Sequence, residues 1–209
     1  MPKIGCAKSL NPEMEISYKS YRGAEIAEVF EPLARLRIAV FRDWPYLYEG
    51  SLDYEMDYLK TYSEAPNSLL HAAFYRGEMV GATTCIPLAD ETGDVQKPFL
   101  EAGMRVEEIF YFGESILLPE YRGQGIGNVF FNAREAHAAS FGTYRVTCFC
   151  GVQRPLDHPL RPLDYRPLDE FWMKRGYRKV PELSTTFSWP DIGESESTAK
   201  PMVFWMREL

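Results

Sequence analysis

The chain has 209 residues, 45% of them hydrophobic and 14% aromatic, enough for one well-buried core and a single domain over residues 1–209. A formal net charge of -7 argues against a broad electrostatic footprint for nucleic acid or an anionic membrane surface. No stretch approaches the roughly 20 consecutive apolar residues that cross a bilayer, and MPKIGCAKSL lacks a hydrophobic signal core, so a cytoplasmic protein is expected.

From the N-terminus, residues 13–21 (EMEISYKSY) alternate as a first strand does. Across residues 24–41 the apolar positions Ile26, Val29, Phe30, Leu33, Leu36 and Val40 form a helical stripe, which Pro32 interrupts as a kink or as a break between two short helices. A turn-rich aromatic segment, Asp43-Trp-Pro-Tyr-Leu-Tyr-Glu-Gly50, precedes a second helical pattern over 52–62. Residues 69–75 and 79–88, joined at Arg76-Gly-Glu78, read as a hairpin, and a polar connection with Gly93, Pro98 and Gly103 follows. One aromatic-rich strand is expected over 108–118, leading into a glycine loop at Arg122. A helix over 126–141, a strand over 143–150 and a short helix over 167–175 come next. Residues 178–189 and 202–208 close the order as an antiparallel pair. Strands and helices in this order predict an α/β (α+β) fold: a mixed, mostly antiparallel central sheet of six to seven strands flanked by helices.

Four cysteines, Cys6, Cys85, Cys148 and Cys150, form no CxxC pair and have no histidines at ligand spacing, so neither a metal site nor a disulfide framework is expected. Cys148 and Cys150 fall two apart on one face of the strand over 143–150, where thiols pack as small hydrophobes.

The most informative segment is the strand-to-helix turn Arg122-Gly-Gln-Gly-Ile-Gly127. Glycines let a ligand approach the backbone, and the free amides and positive dipole end of a helix N-terminus suit a pyrophosphate. A P-loop needs Gly-Lys followed by Ser or Thr, and here Asn128 and Val129 follow Gly127. A dinucleotide fingerprint needs a small residue where Phe130 stands and an acid at the end of the next strand, where Cys148 to Val152 offers none. The remaining pattern is Arg-x-x-Gly-x-Gly after Leu-Leu-Pro-Glu-Tyr121. With Phe171-Trp-Met-Lys-Arg-Gly-Tyr177 it resembles the GNAT family of N-acetyltransferases.

That resemblance implies an acyl-CoA N-acyltransferase fold with acetyl-CoA as co-substrate and no metal. Main-chain groups of Ile116, Leu117 and Leu118 would hold the pantetheine arm like an added strand. The loop of Arg122, Gly123, Gln124, Gly125, Ile126, Gly127 and Asn128 would hold the pyrophosphate. Acyl transfer from a thioester needs a neutral amine, a donor for the developing oxyanion and an acid for the leaving thiolate. An amide near Leu117 can serve the oxyanion. Glu114, three residues earlier among apolar neighbours, is the candidate base, or else a strand-edge carboxylate paired with a nearby cation. The family often has tyrosine where this chain has Trp172, whose indole is no proton donor to a thiolate, which leaves Tyr165 or water.

For the acceptor, the segment with Asp43, Tyr46 and Tyr48 either lines a pocket or caps the core. The tetrapeptide Arg-Pro-Leu-Asp occurs three times within residues 154–169, starting at Arg154, Arg161 and Arg166. These arginines either grip an anionic group on the acceptor or pair with aspartates as a surface staple. With Asp43 and Glu49 offering an ammonium site, an amino-acid-like acceptor with an anionic group is expected over a polyamine. The sequence thus predicts an acetyl-CoA-dependent N-acetyltransferase for a small-molecule amine. Its alternatives are a catalytically silent acyl-CoA sensor and a protein or peptide lysine acetyltransferase, and a homodimer is compatible with either.

Overall fold

The structure, a computed structural model, describes residues 15–209. Cys6 and the first two positions of the strand expected over 13–21 lie outside the described residues. Among them, no helix is long and apolar enough to cross a membrane.

Strand β1 (Ile16–Arg22) pairs antiparallel with β2 (Leu69–Tyr75), which turns back into β3 (Glu78–Pro87). Both residues of that turn, Arg76 and Gly77, have positive φ (51° and 85°), the pattern of a type I′ turn, whose twist matches the strands it joins. The remaining strands are β4 (Ile109–Tyr111), β5 (Ser115–Leu117), β6 (Val146–Val152), β7 (Arg178–Trp189) and β8 (Thr198–Glu208). They complete an 8-stranded sheet in the order β1-β2-β3-β4-β6-β8-β7, with β5 on β3. Among the described residues only the β4–β6 pairing is parallel.

Alternation along the strands feeds two cores. Leu70, Ile86, Tyr111 and Cys148 face α1 (Phe30–Phe41), α2 (Leu52–Tyr58), α3 (Lys60–Glu64) and α4 (Gly93–Glu101). Their chain neighbours Leu69, Cys85, Phe110 and Phe149 face α5 (Ile126–Ser140) and α6 (Asp169–Lys174), where Phe131, Tyr177 and Trp205 fill the space. Full burial of one such side chain contributes roughly 1.5–3 kcal/mol, which is why the strand register is fixed so firmly.

The helices depart from the expected boundaries for local reasons. Residues 23–29 form a 3-10 turn, and α1 starts at Phe30, so Pro32 falls in the first helical turn, where its missing N–H needs no partner. The pattern over 52–62 divides at Leu59, after Ser51 has capped α2 through Tyr54. The supposed polar connection contains α4 with Pro98 inside it. The Asp94 carbonyl that Pro98 leaves without its helical donor accepts from Thr185 Oγ1 at 2.8 Å. The expected strand over 108–118 is two strands, which accounts for the eighth.

Candidate active site

The division between β4 and β5 opens the sheet. Tyr111 lies opposite Ile86, whereas Ser115 lies opposite Thr83, so one extra residue is accommodated between them. The bulge is pinned at both faces: Gly113 donates to the Thr84 carbonyl at 3.1 Å, and Thr83 Oγ1 donates to the Glu114 carbonyl at 2.7 Å. Gly113 has to be glycine, because a Cβ there would lie 1.8 Å from the Tyr62 hydroxyl. On the other side, Phe112 donates to the Cys148 carbonyl at 2.7 Å, and beyond it β6 pairs only with β8. Among the described residues, the edge of β5 that faces away from β3 therefore has no strand partner.

Antiparallel pairing alternates the direction of main-chain groups. Leu118 donates to the Val80 carbonyl at 3.0 Å, which turns Ile116 and Leu118 toward β3 and leaves Leu117 facing the opening. Arg122 Nε reaches the Leu117 carbonyl there at 3.1 Å. Of the three residues expected to bind a strand-like ligand, only Leu117 presents its own amide and carbonyl to the open edge.

The glycine loop follows directly. Gly123 and Gly125 have φ of 78° and 85°, a region that favours glycine, and Gly125 caps α5. Among the described residues, the amides from Gly123 through Gln124, Gly125 and Ile126 to Gly127 have no protein acceptor. At the ends of the loop, the Arg122 amide donates to Pro119 and the Asn128 amide to Gly125, while the Asn128 side chain accepts from Arg175. Five consecutive free amides at the N-terminus of a 15-residue helix form a cradle for a multiply charged anion.

Beside the bulge lies a cavity of about 420 Å³ lined by Arg37, Glu55, Glu91, Gly113 and Glu114 and walled by Phe41, Tyr46, Tyr48, Tyr58, Tyr111 and Trp189. Arg37 lies between the two buried carboxylates, its Nε donating to Glu55 Oε2 and its Nη1 to Glu114 Oε2. The guanidinium also stacks 4.4 Å from the Tyr58 ring centroid. Among the described residues, the other oxygens, Glu55 Oε1 and Glu114 Oε1, are buried without a hydrogen-bond partner in bonding geometry. Burial pushes the Glu114 pKa up; the Arg37 charge opposes this and the Glu55 charge adds to it, and the net shift is upward. Burial likewise raises Glu91, which accepts from Tyr62 Oη at 3.2 Å and from the Thr92 amide at 2.8 Å. Burial works against the charge on Arg37, but Glu114, Tyr58 and Glu55 outweigh it and hold its pKa well above the usual value. Tyr111 and Cys150 meet across the cavity wall at 3.2 Å.

The structure brings Glu114, Tyr46 and Tyr48 together here, but not the other expected acceptor residues. Asp43 pairs with Arg122 at 3.7 Å and Glu49 with Arg42, both on the surface. Arg154 is engaged through most of its donors: two bonds of 2.7 Å to Asp191, 2.9 Å to the Pro45 carbonyl and 2.6 Å to the Tyr46 carbonyl. It staples the aromatic segment to the chain after β7, using an aspartate outside its own repeat, and has no donor aimed into the cavity. Arg161 donates to the Leu156 carbonyl, and neither it nor Arg166 lines the cavity. Tyr165 packs edge-on to Trp44 and also lies off the lining, and Trp172 is packed against Phe149 and Trp205.

Sequence reasoning missed Arg37, Glu55 and Glu91. A signal existed for two of them. Arg37 is four residues after Leu33 on the buried stripe of α1, and Glu55 is three after Leu52 and four before Leu59. A charged residue on an apolar stripe is buried only if paired, so each pointed to a partner.

The sequence model described as the Acetyltransferase (GNAT) family matches residues 35–163, more than half of the chain. A GNAT-family acetyltransferase from Streptococcus pneumoniae is similar in structure, with a TM-score of 0.57 at 12% identity, covering 93% of this chain and 100% of that one. An aminoglycoside 6'-N-acetyltransferase solved with coenzyme A gives 0.54 at 17%, covering 91% and 96%. The PaiA N-acetyltransferase from Thermoplasma acidophilum, also solved with coenzyme A, gives 0.51 at 13%, covering 92% and 99%. No curated protein sequence matches the chain.

Proposed function

The chain belongs to the GNAT acetyltransferase family, and from that premise we propose that it transfers an acetyl group from acetyl-CoA to the primary amine of a small molecule bound beside Glu114. One observation supports this reading: at the break in the sheet, the bulge that holds Glu114 runs directly into the open edge at Leu117 and then into the free amides of the glycine loop. The residues present fit the co-substrate. Amides from Gly123 to Gly127 would take the pyrophosphate, and the Leu117 carbonyl, which Arg122 Nε reaches in this structure, would take the strand-like arm. When bound, acetyl-CoA supplies an activated acetyl thioester.

The chain's own groups do the rest, except that the coenzyme A thiolate released as the C–S bond breaks would take its proton from water, since Tyr165 lies off the cavity lining. The Leu117 amide is the donor available to an oxyanion at the open edge. Glu114 Oε1 receives the ammonium proton, and Arg37 on Oε2 keeps the carboxylate oriented. Aromatic walls exclude water from the reacting nitrogen. We take the activity to reside in one domain spanning the chain and to operate in the cytoplasm.

The pH dependence follows from the raised Glu114 pKa. Its carboxyl stays protonated to a higher pH than an ordinary glutamate, so the rate should climb as pH rises through that raised value. Glu114→Gln should lower kcat by about 100- to 10,000-fold and flatten the acid limb while CoA affinity holds. Wild-type turnover in the variant from pH 6 to 9 would remove Glu114 from the chemistry.

A further inference from the structure

We infer that the acceptor carries a second cationic nitrogen, retained through the reaction, and that Glu55 binds it. The inference rests on the acetyl-transfer reading above and deepens it.

The argument begins from charge. Among the described residues, Arg37 is the only basic side chain lining the cavity, and it faces both Glu55 and Glu114. One guanidinium faces two carboxyl groups, with Glu91 and Asp94 also on the lining, so the cavity is acidic, and a bound cation would favour the ionised form of Glu114 that burial opposes. Buried carboxylates are stable when their lone pairs are satisfied, yet Oε1 of each glutamate lacks a partner, although Glu55 is fully buried and Glu114 is 6% exposed. Among the described residues the lining offers these oxygens tyrosine hydroxyls, with Tyr48 beside Glu55, but no second cation.

Acyl transfer accounts for only one of these two oxygens. The reacting nitrogen must attack as a neutral amine, and its proton passes to Glu114 Oε1. Glu55 is held to the neighbouring position of the same guanidinium, and its Oε1 has no part in that proton transfer. A second ammonium on the acceptor, still protonated at neutral pH, is the complement of this oxygen. The walls agree: the aromatic rings of Tyr48 and Tyr54 line the cavity beside Phe41 and Tyr58, over which Arg37 already lies, and aromatic rings favour a cation over an anion. An acceptor carboxylate would meet three glutamates and one arginine already in use. The amino-acid-like acceptor expected from the sequence is therefore the wrong class for this cavity, and a diamine or longer polycationic amine is the right one.

The test uses the wild-type protein and four ligands: 1,4-diaminobutane, n-butylamine, 4-aminobutyrate and coenzyme A. Calorimetry without co-substrate should show 1,4-diaminobutane binding roughly 10-fold or more tighter than n-butylamine, the scale of one charge-assisted hydrogen bond, with 4-aminobutyrate weaker than both. Steady-state acetylation should rank kcat/KM in the same order. Glu55→Gln should reduce the diamine's binding advantage to within about 3-fold, with coenzyme A affinity reporting that the variant is folded. Equal affinity for diamine and monoamine, tighter binding of 4-aminobutyrate, or no amine binding at all would each overturn the inference. Failure of the two readings is separable: acetylation of monoamines as fast as diamines sinks the second cation and keeps acetyl transfer, whereas tight diamine binding with neither CoA affinity nor turnover does the reverse.

Discussion

Two arginines with similar numbers of partners have opposite meanings. Arg154 and Asp191 form a nearly closed set, in which each carboxylate oxygen and most of the guanidinium donors are matched and Lys200 stands 3.4 Å away. Arg37 instead leaves one oxygen on each of its two carboxyl partners buried and unmatched among the described residues, on side chains that line a cavity. The first arrangement is complete without a ligand, and the second is not. Removing one partner of a fully buried pair costs about 3–5 kcal/mol, so for this part-buried pair Arg154→Ala should lose less, about 2–3 kcal/mol in chemical denaturation, while Arg161→Ala and Arg166→Ala should stay within about 0.5 kcal/mol of the parent. Burial tends to raise the Asp191 pKa, but bonds to Arg154 and the charges of Arg154 and Lys200 prevail and hold it below the usual range. A depressed folded pKa stabilises above the unfolded aspartate value and is lost as pH falls through the folded one. The penalty of Asp191→Asn should therefore be full at neutral pH and shrink in strong acid. A tenfold rise in acceptor KM on Arg161→Ala or Arg166→Ala, with stability unchanged, would return the repeat loop to the binding site.

At the level of elements, the glycine loop and α5 form the part that the sequence displays most openly. Positive φ at Gly123 and Gly125 is a backbone demand, and it leaves a mark in residue type. Gly127 has no such demand, and a Cβ there would sit in ordinary contact 3.7 Å from Phe171. Gly127→Glu is thus a clean probe: a carboxylate in the first turn favours the helix dipole by about 0.3–1 kcal/mol, yet it repels a pyrophosphate held on the same amides. Thermal stability should hold or rise slightly while CoA affinity falls roughly 10-fold or more by calorimetry. Unchanged CoA affinity would place the anion elsewhere. The break between β4 and β5 was not legible in the same way. Residues 108–118 read as one strand because hydrophobic alternation sets which face a residue occupies, and a bulge reverses that phase without changing composition. Nor was the cavity legible, since Arg37 and Glu114 are 77 positions apart and pair only once α1 lies across the bulge. Local pattern identifies loops and helices, whereas a polar cluster assembled from α1, α2 and the bulge is a property of the packing.

For the molecule as a whole, the sheet carries helices on both faces, with α1 to α4 over the face that holds the cavity and α5 with α6 over the other. The net charge of -7 surrounds this arrangement with a field that attracts cations. A cationic acceptor and a neutral or zwitterionic one would respond to that field differently, independent of any contact inside the cavity. Raising ionic strength from 0.01 to 0.15 M shortens the Debye length from about 30 to 8 Å and screens exposed charges, while the buried Glu55 and Glu114 are little affected. If the acceptor is a dication, its KM should rise several-fold over this range, within the roughly 10- to 1,000-fold that steering supplies, and kcat should stay constant. The KM of a zwitterionic amine of similar size should move less than twofold. These two series, measured at saturating acetyl-CoA, separate long-range attraction from local recognition. A salt-independent diamine KM would confine recognition to the cavity, and a KM that falls with salt would mean that the acceptor is not a cation.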